Sequence, residues 1–294
     1  MSKADPGHIG PYRLLNIFNT GQTSRIWQAY DDVAREVVGI KVLLEEYRKN
    51  REHLAYLKQE WVVGGELDHP HIIDIRNYAV DRGIAYLVME WFPAPNLKQR
   101  RRMGYEEFEY LIPKVIEEMC VALIHLHSKG WVHRDVKPDN FLVSDDGNVK
   151  LIDFALAQKV KKGLGRFLGG GSKKVQGTRS YMSPEQIRGK ELDGRADLYS
   201  LACTLHELLG GRPPYTGTDA NDLLMRHLKA APPAIESANH NVTNEFGELL
   251  RRCMSKEPDQ RPKSVTDFLT EVRMTRLFRK QPRPPAEIST QESP

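Results

Sequence analysis

His133-Arg-Asp-Val-Lys-Pro-Asp-Asn140 is the segment of the chain densest in chemistry. It sets an acid, a cation and a carboxamide within one turn-rich segment. Val149-Lys-Leu-Ile-Asp-Phe154 follows it, an alternating apolar run that ends in a second acid. This chemistry points to phosphoryl transfer. Asp135 would orient an attacking hydroxyl and accept its proton, and Lys137 would neutralise charge on the moving group. Asn140 and Asp153 would hold Mg²⁺ through hard oxygens. Pro138 lets the loop turn sharply and removes one backbone donor. A His-Arg-Asp triplet alone would support no more than a polar loop between a helix and a hairpin. The octapeptide with a spaced Asp-Phe is far more specific.

This segment resembles the catalytic loop of eukaryotic-like (bacterial-type) serine/threonine protein kinases, and the resemblance covers about residues 10 to 275. It implies an α+β, bilobal protein kinase fold. A small, mostly-β N-lobe would take residues 12–92 and a larger, mostly-α C-lobe residues 93–275. Residues 1–11 read as a flexible arm. Residues 276–294, basic and then Pro-rich, read as a disordered tail or linker.

Working outward toward the N-terminus, Tyr12 to Ile17 suggests a first strand. Asn19-Thr-Gly-Gln-Thr-Ser-Arg-Ile-Trp27 turns into a second. In the kinase family a three-glycine hairpin covers the ATP phosphates. Here only the middle glycine, Gly21, is present. Val37-Val-Gly-Ile-Lys41 resembles the family's Val-Ala-Ile-Lys, with Gly39 in place of Ala. Lys41 is thereby implied to grip the α- and β-phosphates, and Glu60, on an expected helix from Leu54 to Leu67, to pair with it. The apolar strand Ile84 to Trp91 runs into Met89-Glu-Trp-Phe-Pro93, which matches the family's adenine-reading hinge. Met89 is the implied gatekeeper, Glu90 and Phe92 lie along the hinge, and Ile17, Ile26 and Leu142 would sandwich the base.

Tyr105 to Ser128 reads as one long helix, with Phe108, Ile112, Val115, Met119 and Leu126 as its core stripe. Gln99-Arg-Arg-Arg102, before it, reads as a solvated charge run. Beyond the catalytic loop, Asp153-Phe-Ala155 departs from the family's Asp-Phe-Gly. Ala adds a Cβ, so a φ > 0 backbone there would cost about 1 kcal/mol.

Lys159 to Gly177 is rich in glycine and cations. As an activation segment it implies ordering by a phosphate that meets Arg134, with Ser172 as the candidate phosphosite and Thr178 and Ser180 as rivals. Gly177-Thr-Arg-Ser-Tyr-Met-Ser-Pro-Glu185-Gln resembles the family's next motif. There Glu185 pairs with a distant arginine, and Arg261 stands at the matching place. Asp197 is implied to cap the catalytic loop from the following helix, Leu198 to Leu209. Three shorter helices fit Asn221 to Ala230, Thr243 to Met254 and Ser264 to Thr275.

The 294 residues carry 40% hydrophobic and 28% charged residues and a net charge of +4, ordinary values for a globular protein and too mild for general nucleic-acid binding. The three cysteines, Cys120, Cys203 and Cys253, have no paired spacing and suggest reduced thiols. No apolar run is long enough to span a bilayer. The expected location is cytoplasmic, as a free protein or as the cytosolic domain of a larger membrane-anchored one. The resemblance implies ATP with Mg²⁺, or Mn²⁺, as cofactors. It implies protein substrates with Ser or Thr acceptors, an acidic character being suggested by the cationic segment. The rival readings are a pseudokinase scaffold that binds nucleotide or partners without turnover and a small-molecule phosphotransferase. The thinned glycine loop and Ala155 favour the first; the complete segment from Gly177 to Glu185 opposes the second.

Overall fold

The computed structural model describes residues 7–160 and 177–284. The chain divides into two compact units. One comprises Met1–Pro93 with Asp153–Leu156, the other Ala94–Ile152 with Ala157–Pro294. The small unit is an antiparallel sheet of β1 (His8–Ile9), β2 (Tyr12–Thr20), β3 (Ser24–Asp31), β4 (Glu36–Leu43), β5 (Ile75–Asp81) and β6 (Ile84–Glu90). Their order is β1-β2-β3-β4-β6-β5. Along β4 the alternate residues Val38, Ile40 and Val42 enter a core with Ala29, Tyr86 and Val88. Strand periodicity therefore turns Lys41 to the opposite face. The helix α1 (Arg51–Gly64) begins three residues before the expected Leu54. The cause is Asn50, whose side chain accepts the N–H groups of Glu52 and His53 at 2.9 and 3.3 Å, a strong N-cap.

The boundaries of the small unit differ from the sequence reading. His8–Ile9 is a strand paired with β2, not part of a loose arm. Gly10, at φ +54°, makes the turn that folds it back, and Ile9 is buried. Asp153–Leu156, expected in the larger lobe, belongs to the small unit, where Asp153 meets Lys41.

The larger unit holds α2 (Leu97–Met103), α3 (Tyr105–Phe108), α4 (Ile112–Ser128), α5 (Pro184–Ile187), α6 (Gly194–Gly210), α7 (Ala220–Lys229), α8 (Asn244–Cys253) and α9 (Val265–Met274). Two short ribbons accompany them. In one, β7 (Trp131–Val132) pairs with β10 (Gln158–Lys159); in the other, β8 (Phe141–Val143) pairs with β9 (Val149–Leu151). The expected single helix over 105–128 is broken into α3, a 3₁₀ turn over Glu109–Leu111, and α4. Pro113, at the second position of α4, lacks the N–H that a continuous helix would use, and it is at home where a helix restarts.

From Ala196 to Leu209 every residue of α6 is buried, as a helix at the centre of a unit must be. Gly211 ends it in the left-handed conformation, φ +83°. The cysteines are buried on α4, α6 and α8, and burial pushes their thiols up, Cys203 to about 12. Residues after Arg276 are not a loose tail at their start. Leu277 and Phe278 are buried, Phe278 bridges to Val242, and the Arg279 N–H donates to the Asn241 carbonyl at 2.7 Å. Two adjacent apolar side chains hold this stretch down against its basic flanks.

A buried imidazole gives the larger unit a pH signature. His227 of α7 meets the Tyr199 hydroxyl through Nδ1 at 2.9 Å and stacks edge-on against Tyr215, which also receives the Lys256 ammonium. Burial, aided by the nearby Lys256 charge, lowers the His227 pKa to about 4. The unfolded chain takes up this proton near pH 6.5, the folded one only near 4, so acidification across that window favours unfolding by at most about 3 kcal/mol. In urea titrations, His227→Asn should therefore lose less stability than the parent between pH 7 and pH 5. Equal slopes would mean that the imidazole is not the group responsible.

Candidate active site

Two constellations of the expected residues are assembled, one in each unit. In the small unit the Lys41 Nζ donates to Glu60 Oε2 at 2.6 Å and lies 4.0 Å from Asp153 Oδ1. Glu60 reaches Lys41 because it sits on the buried face of α1 with Leu57, Val63 and Gly64. Gly64 lets α1 approach β5, since a Cβ there would meet the Ile75 side chain at 2.7 Å. Burial opposes the Lys41 ammonium, but the Glu60 and Asp153 carboxylates outweigh it and hold its pKa above the usual lysine range. Asp153 adopts φ +66°, a conformation an aspartate tolerates better than most side chains. Ala155 is not among the non-glycine residues of positive φ, so the Ala-for-Gly replacement costs no backbone strain.

Ile17, Gly21, Ile26, Met89 and Glu90, also expected around a nucleotide, lie on strands or a turn of the six-stranded sheet. Met89 is buried near the end of β6, opposite Gly39 of β4 in register. A Cβ on Gly39 would lie 2.9 Å from Met89 Cγ. Gly39 therefore stands where the resemblance leads one to expect Ala because Met89 occupies the space. The Glu90 N–H donates to the Asp74 carbonyl at 2.9 Å, so this hinge amide is committed. In the turn between β2 and β3 the Gly21 N–H donates to the Ser24 carbonyl at 2.9 Å. Ile17 is exposed, and Ile26 pairs with Lys41 across β3 and β4.

In the larger unit the Asp135 carboxylate is fixed from three sides. Lys137 Nζ reaches Oδ2 at 2.5 Å, the Thr178 N–H reaches Oδ1 at 2.9 Å, and Asn140 Nδ2 lies 3.3 Å from Oδ2. Lys137 also donates to the Thr178 hydroxyl at 2.8 Å. Thr178, read as a rival phosphosite, is thus built into the Asp135 cluster. Asn140 spends its Nδ2 mainly on the Asp135 backbone carbonyl, at 2.7 Å. That orientation leaves its Oδ1, which has no hydrogen bond among the described residues, as a hard donor suited to Mg²⁺. Leu142 lies on β8, which bridges to Asn96. Ser172 and most of the cationic segment lie outside the described residues.

The loop is held from beneath by Asp197 of α6. Its carboxylate accepts the N–H of His133 at 2.7 Å and of Arg134 at 2.9 Å, and meets His127 Nε2 at 2.8 Å. Burial alone would raise the Asp197 pKa, but the bond from His127 and its neighbours hold it below the usual carboxylate range. Arg134 has φ +70°, and its carbonyl accepts from Gln186 Nε2 at 2.8 Å. His127 and Gln186 were not singled out in the sequence as parts of the site, since nothing in their spacing reveals what they meet. Glu185 and Arg261 form the expected pair, doubly bonded at 2.7 and 2.9 Å and nearly inaccessible to water.

The chain matches the protein kinase domain family over residues 12–272 and belongs to it. It is 29% identical over 264 residues to the serine/threonine-protein kinase PrkC of Bacillus subtilis, covering 90% of this chain and 40% of that one. It is 31% identical over 281 residues to the serine/threonine-protein kinase PknA of Mycobacterium tuberculosis, covering 94% and 63%. A third relative, PknH of the same species, is 31% identical over 264 residues, covering 88% and 41%. The chain thus spans about two fifths of PrkC and PknH and about three fifths of PknA. Among the described residues no helix is long and apolar enough to cross a membrane.

Two substitutions test the packing of these constellations. Arg261→Met should cost about 3–5 kcal/mol in chemical denaturation, because it strands a buried carboxylate; a cost below 1 kcal/mol would mean that Glu185 finds water. Gly39→Ala should cost about 1–3 kcal/mol through crowding of Met89. A double-mutant cycle with Met89→Ala should recover much of that loss, whereas additive costs would place the crowding elsewhere.

Proposed function

We propose that this chain transfers the γ-phosphoryl group of ATP to Ser or Thr hydroxyls of protein substrates. The observation that carries the reading is the fixed Asp135 carboxylate, gripped by Lys137 and the Thr178 N–H and flanked by Asn140. Asp135 receives the acceptor hydroxyl, orients it and takes its proton. Lys137, already shared between Asp135 and Thr178, offsets charge developing on the phosphoryl oxygens. Lys41, pinned by Glu60, grips the α- and β-phosphates.

Asn140 Oδ1 and the Asp153 carboxylate supply hard oxygen ligands for Mg²⁺, with Mn²⁺ as an alternative metal. When bound, the metal neutralises phosphate charge. Met89, Glu90, Phe92, Ile17, Ile26 and Leu142 are the residues we assign to the base, and Gly21 to the phosphate cover. Charge compensation and positioning carry most of such a reaction, and these side chains are held for both.

On the same reading the segment that carries Ser172 is the site of autophosphorylation. The chain works in the cytoplasm, alone or as the cytosolic part of a longer membrane-anchored protein, and its buried free thiols fit a reducing compartment. The rival scaffold reading rests on the thinned glycine loop and on Ala155, and the second of these carries no backbone strain.

The test is phosphoryl transfer from radiolabelled ATP with Mg²⁺ to the protein itself and to a Ser/Thr peptide. Asp135→Asn should lower turnover about 10²–10⁴-fold without loss of folding. Equal labelling of parent and variant, or none in either, would overturn the assignment.

A further inference from the structure

The charge run on α2 is more than a solvated face. Arg100 pairs with Asp145 at 2.6 Å, and Arg101 Nε donates to the Leu208 carbonyl at 2.8 Å while its guanidinium lies over the Tyr105 ring. Lys98, Arg101 and Arg102 stand at i, i+3 and i+4 and so share one side of the helix. With Pro138, Glu207 and Gly211 they line a small open cleft of about 60 Å³. Gly211 leaves room for the Arg101 fork, since a Cβ there would lie 2.7 Å from its Nη2.

Three cations thus face one carboxylate, and that carboxylate is engaged. Glu207 accepts the Tyr181 hydroxyl and lies 3.8 Å from Lys98 Nζ. Arg102 is exposed and has no ion pair or hydrogen bond among the described residues. The cleft is therefore left with uncompensated positive charge. Pro138, one wall of the cleft, is three residues after Asp135, so that wall lies at most about 11 Å along the chain from the loop acid. Asp139 adjoins Pro138 in the chain but is not among the residues that line the cleft.

We infer that this cleft reads an acidic side chain of the peptide substrate, lying within about four residues of the acceptor hydroxyl, with Arg102 and Lys98 as its specificity-determining cations. The inference rests on the kinase reading above but concerns binding, which can be measured without turnover.

The experiment measures anisotropy of fluorescent peptides, identical except for one position scanned from four residues before the acceptor Ser to four after it. The variable residue is Glu, Gln, phosphoserine or Lys. For the intact protein, and equally for Asp135→Asn, the Glu peptide should bind about fivefold tighter than its Gln counterpart at one or two positions, with the gain fading at high salt. Lys98→Gln/Arg102→Gln, checked for an unchanged melting temperature, should erase that preference while leaving Gln-peptide affinity in place. Arg102→Glu should transfer the preference to the Lys peptide. A phosphoserine peptide that gains while the Glu peptide does not would overturn the carboxylate assignment in favour of a phosphate reader. Equal affinity for Glu and Gln at every position, or a preference that survives the double substitution, would overturn the cleft itself. A failure of the kinase reading would appear separately, as absent turnover with the binding preference intact.

Discussion

The Asp197 carboxylate is the anchor on which the loop from His133 to Asn140 depends. It is removed from water yet held anionic by His127 and by two backbone N–H groups of the loop. One of those donors belongs to Arg134, whose left-handed backbone costs about 1 kcal/mol or more for a side-chain-bearing residue. An isolated loop would relax that strain. Here Asp197 grips the N–H side of Arg134 and Gln186 grips its carbonyl, so the next residue, Asp135, emerges in a fixed direction. The orientation of the Asp135 carboxylate is thus set by groups that are distant from it in the chain. The Glu185–Arg261 pair extends the same logic, joining the stretch before α6 to the stretch after α8.

How much of this the sequence disclosed depends on how local the determinant was. Asp135, Lys137 and Asn140 stand within one octapeptide, and their mutual geometry follows from proximity. Lys41 with Glu60 and Glu185 with Arg261 are separated by 19 and 76 residues. They were legible only because each lies in a recognisable motif. His127 lies six residues before His133 but meets Asp197, 70 positions away, so no periodicity could expose it. The same holds for Arg101, whose carbonyl partner is 107 residues distant. Helix ends erred where a single residue decided them: Asn50 starts α1 early, and Pro113 splits an apolar stripe whose spacing remained helical throughout.

The two departures from the family pattern have different physical explanations. Gly39 is required by the bulk of Met89 across the sheet, so the pair behaves as one steric unit. Ala155 is tolerated because its own φ is not positive; the left-handed residue of this stretch is Asp153. Neither replacement leaves an uncompensated defect in the small unit, and the Lys41–Glu60 pair is formed in their presence.

The placement of the sulfur atoms has a practical corollary. All three thiols of the chain lie sealed inside helices of the larger unit, and burial keeps each of them protonated and inert. An alkylating reagent can reach them only when that unit breathes open. The pace of their modification under native conditions is consequently a clock for its rare excursions, and a ligand that closes the unit would slow the clock without touching a single sulfur.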